Sequence, residues 1–109
     1  MDKNYLEYIP KLNSRINFEE QDGKLIVIIP KEKFYEKIIA KILKSSLNYK
    51  LHLDDMGSFV LKNIDGDKNI YDIGEEVKLK FEKKAEPLYE RLINYIEILR
   101  KNKIIEIIE

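Results

Sequence analysis

With 109 residues, 20 basic and 20 acidic side chains and no cysteine, the chain has room for one modest hydrophobic core and no net charge for gripping many phosphates or an anionic membrane. The missing cysteine removes disulfides, thiolate nucleophiles, cysteine-ligated zinc and iron–sulfur clusters together. No apolar run approaches the roughly 20 residues of a membrane span, and the start of the chain carries acids and tyrosines in place of a basic, then apolar, leader. The expectation is one soluble, unexported domain over residues 1–109, compatible with a reducing cytoplasm.

Tyr5, Leu6, Tyr8 and Ile9 make a short apolar lead before Pro10, either one helical turn or an extended arm, within an N-terminal arm of residues 1–12. Arg15 to Glu19 alternates polar and apolar, Asp22-Gly23 supplies a turn dipeptide, and Leu25–Ile29 is a β-branched run closed by Pro30, which together predict a β-hairpin. From Lys31 to Ser46 the period changes: Phe34, Ile38 and Ile42 recur every four residues, with Tyr35, Ile39 and Leu43 one position on. That predicts an amphipathic helix inserted between strands. Tyr49–Leu53 returns to alternation and predicts a third strand, with Leu51 and Leu53 on one face and Lys50 and His52 on the other.

Asp54 is a good helix cap, and the segment through Ile64 predicts a helix with Met56, Phe59, Val60 and Ile64 inward before Asp65-Gly66 stops it. Asn69 can cap a second helix with Ile70, Ile73, Val77 and Phe81 on one stripe, and Pro87 suits the first turn of a third helix running to about Lys101. The tail Ile104–Ile108 either prolongs that helix or forms a strand. The pattern predicts an α+β fold of winged helix-turn-helix type, a three-stranded antiparallel sheet on a three-helix bundle.

Nothing in the pattern predicts catalysis, a bound metal or a cofactor. His52 is the only histidine, has no partner at ligand or triad spacing, and reads as a polar residue on the outer face of its strand. The pairs Asp54-Asp55 and Glu75-Glu76 point about 100° apart on a helix and so converge on neither one proton nor one ion. Gly23, Gly57, Gly66 and Gly74 match no nucleotide-binding loop.

The third helix carries the one unusual pattern. On a helical wheel, Tyr95, Leu88, Leu99, Leu92, Ile96, Tyr89 and Ile93 spread over about 160°, wider than the roughly 100° of a single core-facing stripe. Part of this face, toward Tyr89, Ile93 and Ile96, is left for another cover: the chain's own sheet, inserted helix or tail, or a bound peptide.

The segments L-D-D-M-G-S-F-V-L-K-N-I-D-G, I-Y-D-I-G-E-E-V and P-L-Y-E-R-L-I-N-Y-I-E-I-L, in that order, resemble the PqqD-like family. The family is named after a pyrroloquinoline-quinone biosynthesis protein, and its domain is also known as the RiPP recognition element. The resemblance is strongest over Leu51–Ile105; Leu61 stands where the family often has tryptophan, and the inserted helix is absent from the shortest members. The resemblance implies a non-catalytic peptide chaperone. Such a protein binds the leader of a ribosomally made precursor and presents it to a modifying enzyme, often a radical-SAM protein. It further implies that the leader adds as a strand beside Lys50, Leu51, His52, Leu53 and Asp54, against a helical wall of Tyr89, Ile93 and Ile96.

Two other readings stand beside this one. The architecture alone suits a winged-helix DNA-binding regulator, yet Glu86, Glu90 and Glu97 balance Arg91, Arg100 and Lys101 on the helix that would enter a groove, so nucleic acid is not the expected partner. The other is an adaptor whose sheet edge and tail make homodimers.

Overall fold

A computed structural model describes residues 4–14, 16–30 and 48–108, and the chain is α+β. The hairpin strands are Asn17–Gln21 (β2) and Lys24–Pro30 (β3), and Asn48–His52 (β4) pairs with β3 to complete an antiparallel sheet of order β2-β3-β4. Three helices follow: Asp55–Lys62 (α1), Ile70–Phe81 (α2) and Leu88–Lys101 (α3). A second sheet joins Ile9–Leu12 (β1) to Ile105–Ile108 (β5). The helix expected over Lys31–Ser46 lies outside the described residues.

Local chemistry accounts for the element boundaries. Asp22 and Gly23 both have positive φ, 54° and 80°, the backbone of a two-residue turn whose twist matches the flanking strands, and Gln21 pairs with Lys24 across it. The Asp54 carboxylate accepts the Gly57 N–H at 2.8 Å and starts α1. Asn69 and Asp72 form a reciprocal capping box at α2, with Asn69 accepting from the Asp72 N–H at 2.8 Å and Asp72 from the Asn69 N–H at 3.3 Å. Pro87 occupies the position before α3 instead of its first turn.

The two ends left open by the sequence pair with each other. Tyr5–Glu7 forms one 3-10 turn, capped by Asn4, and β1 then runs antiparallel to β5 with Ile9 opposite Ile108 and Leu12 opposite Ile105. The tail is a strand because α3 ends in a Schellman turn. Lys103 adopts φ 59°, its N–H donates to the Arg100 carbonyl at 3.0 Å, and the Ile104 N–H donates to the Leu99 carbonyl at 2.9 Å. Ile104 and Leu99, the apolar pair that accompanies such a turn, are both buried.

The core lies between the β2-β3-β4 sheet and the helices. Val27, Val60, Ile70, Ile73, Val77 and Ile96 have no exposed surface. Met56 and Ile64 are buried as the helical periodicity predicts, while Phe59 and Phe81 are half-buried and meet edge to face at 5.6 Å. Helix α3 takes a neighbour on each side. A Cβ on Gly74 would stand 3.1 Å from Leu92 and 3.3 Å from Tyr89, and one on Gly57 would stand 3.0 Å from the Tyr95 ring. The two glycines therefore let α2 and α1 approach opposite flanks of α3 closely.

Candidate functional site: a groove along the free edge of β4

Strand β4 is an edge strand, and among the described residues nothing pairs with its outer side. The Leu53 N–H donates to the Leu25 carbonyl at 3.0 Å, and Leu51 lies opposite Val27. Because backbone groups alternate direction along a strand, the N–H and C=O of Lys50 and His52 point away from β3, into the open side. Such an edge is a template for an added strand.

Beside that edge lies a groove of about 210 Å³ lined by Leu51, His52, Leu53, Asp54, Gly57, Tyr95, Ile98 and Leu99. The strand supplies one wall, α3 the other, and the first turn of α1 closes the end. Leu53 and Leu99 form its buried floor, Leu51 and Tyr95 are half-buried, and Ile98 is 44% exposed. A large aliphatic side chain left so open adds apolar surface beside the outward backbone groups of β4.

The closed end is a hydrogen-bonded cluster. The Tyr95 hydroxyl donates to the Asp54 carboxylate, 2.8 Å from Oδ1 and 2.7 Å from Oδ2, while Oδ1 also holds the α1 cap. Burial, then the Asp54 hydrogen bond and charge, raise the Tyr95 pKa, against a lowering by Arg91. Tyr95 is therefore a neutral donor at any physiological pH.

A second, larger groove of about 490 Å³ lies by the hairpin turn, lined by Gly23, Asp55, Ser58, Phe59, Lys62, Lys80 and Phe81. Lys80 sits 5.4 Å over the Phe59 ring there. Size does not decide between the two: only the smaller groove runs along a row of outward backbone donors and acceptors.

Of the residues singled out from the sequence, Lys50, Leu51, His52, Leu53 and Asp54 lie together at the edge, with Lys50 and His52 exposed. Tyr89, Ile93 and Ile96 do not line the groove. Ile96 is fully buried in the core, Tyr89 packs over Gly74 of α2, and Ile93 is half-buried. The helical wall is built from Tyr95, Ile98 and Leu99, on the flank that faces α1. Ile98 was not on the apolar arc drawn from the sequence. Its signal was present, since it sits about 60° from Tyr95 on the wheel and extends the apolar arc beyond that end.

Comparison with protein families matches residues 45–105, more than half of the chain, to the family described as Coenzyme PQQ synthesis protein D (PqqD). No curated protein and no solved structure matches the chain. The matched stretch contains β4, α1, α2 and α3 and thus every residue lining the groove.

Proposed function

This chain belongs to the PqqD family, and we propose that it is a non-catalytic peptide-binding protein of the cytoplasm that recognises the leader of a ribosomally made precursor by strand addition. The observation that carries the reading is the outer edge of β4, unpaired among the described residues, beside an apolar groove within the segment that the family match covers. An extended leader would exchange main-chain hydrogen bonds with Lys50 and His52 and place alternate side chains against Leu51, Tyr95 and Ile98. Main-chain pairing supplies affinity and the groove supplies selectivity. The edge residues expected from the sequence are kept, and Tyr95 and Ile98 take the place of Tyr89, Ile93 and Ile96 as the helical wall.

The bound leader would be presented to a modifying enzyme, with a radical-SAM protein the expected class. Presentation needs the rest of the precursor to stay free, and a groove open to solvent along one edge permits that. The winged-helix description belongs to this reading too, with the β2–β3 hairpin as the wing.

The test uses tagged protein captured from its native lysate, with bound peptides identified by mass spectrometry, alongside His52→Pro. Proline at position 52 removes an N–H that points out of the sheet and leaves the β3–β4 ladder its own bonds. Recovery of a short precursor peptide by the wild type and its loss from a folded His52→Pro protein is expected. Equal recovery by both would overturn strand addition at β4.

A further inference from the structure

The groove is not uniformly apolar, and its charges make it directional. At the end where β4 runs into α1, Asp54 and Asp55 are both exposed. The Asp54 carboxylate has about four acceptor positions, of which Oδ1 receives the Gly57 N–H and the Tyr95 hydroxyl while Oδ2 receives only the shared Tyr95 hydroxyl. Among the described residues this leaves acceptor capacity on Oδ2 of an exposed carboxylate that lines the groove. Among the described residues Arg91 is the cation that acts on Tyr95, whose pKa it lowers by hydrogen bond and charge, and it also donates to the Lys84 carbonyl at 2.5 Å, so one positive charge stands against the two carboxylates of Asp54 and Asp55. At the opposite end of the strand, Lys50 is within 3.8 Å of Glu19, so its charge is partly offset.

We infer that the groove selects peptide segments in which an apolar residue stands within about two positions of a lysine or arginine. The apolar side chain enters between Leu51, Ile98 and Leu99, and the cation meets Asp54. This rests on the strand-addition reading above and deepens it by naming the ligand chemistry. Two residues along a strand advance about 6.6 Å and return to the same face, which carries a bound peptide from the Leu51 level of the groove to its acidic end. An acidic residue at that position meets two carboxylates and is disfavoured. Tyr95 fixes where the cation sits, because its hydroxyl holds the Asp54 carboxylate in one orientation.

The experiment is selection of a displayed random linear peptide library on the folded wild type and on Asp54→Asn. Asparagine caps a helix as well as aspartate does, so the variant loses the charge and keeps α1. The wild type should enrich peptides with an apolar residue and a nearby lysine or arginine, the basic residue by about two- to fivefold over the starting library. Asp54→Asn should keep the apolar enrichment and lose the basic one. Apolar enrichment without a basic bias in the wild type, or a basic bias that persists in Asp54→Asn, overturns this inference and leaves strand addition standing. Failure of the wild type to enrich any peptide overturns the strand-addition reading itself, and the inference with it.

Discussion

The Tyr95 hydroxyl donates to the Asp54 carboxylate at 2.7 and 2.8 Å, joining the third helix to the cap of the first across the end of the groove. This contact exists because Gly57 lies beneath the Tyr95 ring, where a Cβ would come within 3.0 Å. The groove's closed end, the start of α1 and the position of the Tyr95 wall are thus one arrangement. Tyr95→Phe should keep the packing and lose the hydrogen bond, costing about 1 kcal/mol in chemical denaturation. A stability equal to wild type would mean that the contact is not populated in solution.

Gly57→Ala has two opposed effects. Alanine favours the helix by up to about 1 kcal/mol, while the added methyl crowds the Tyr95 ring and should cost about 1–3 kcal/mol. The second wins as long as Tyr95 stays in place. In a Tyr95→Ala background the crowding disappears and Gly57→Ala should become neutral or stabilising, so a double-mutant cycle isolates the contact. Additive effects would contradict the arrangement.

Ser58 is buried and links the sheet to α1. Its hydroxyl accepts the Leu25 N–H at 2.8 Å and stands 3.4 Å from the Leu53 carbonyl, taking the place of a ladder bond that β3 and β4 do not make there. Ser58→Ala leaves a buried N–H without its partner and should destabilise the protein by about 1–3 kcal/mol. The loss should also increase amide exchange at Leu25. A variant as stable as wild type would show that Leu25 finds another acceptor.

The N-terminal arm is fixed to α3 by a titratable contact. The Tyr5 hydroxyl donates to Glu97 at 2.7 Å, and Arg100 grips the same carboxylate through two hydrogen bonds of 2.9 and 2.7 Å. Arg100 first, then Tyr5, lower the Glu97 pKa from 4.5 to about 2. With a folded-state pKa below the unfolded one, the unfolded chain takes up the proton first as the pH falls. The stabilisation is therefore complete above about 4.5 and is lost as the pH falls toward about 2. Glu97→Gln should flatten the pH dependence of stability in that window, read by thermal denaturation against pH. An unchanged slope would place the acid sensitivity elsewhere.

Much of this molecule was legible in its sequence, and the exceptions share a cause. The helical stripes of α1 and α2 and the Asp22-Gly23 turn are local signals, and the structure follows them. The strand fate of the tail was not legible, because Lys103 takes the left-handed conformation usually signalled by glycine or asparagine, and because β5 pairs with a strand at the far end of the chain. A wheel drawn for α3 alone showed an apolar face too wide for one neighbour. It could not say that α2 covers the Tyr89 flank over Gly74 while α1 meets only the Tyr95 side over Gly57. That choice depends on which helix glycine faces which aromatic, a tertiary fact, and it moved the groove wall to Tyr95 and Ile98.

The central claim is that a peptide pairs with the outer edge of β4, and backbone amide exchange tests it most directly. With the leader peptide recovered by native capture added to saturation, the Lys50 and His52 amides should exchange more slowly while the Leu51 and Leu53 amides, bonded to β3, change little. Unaltered exchange at Lys50 and His52, with protection appearing elsewhere on the molecule, would contradict the account.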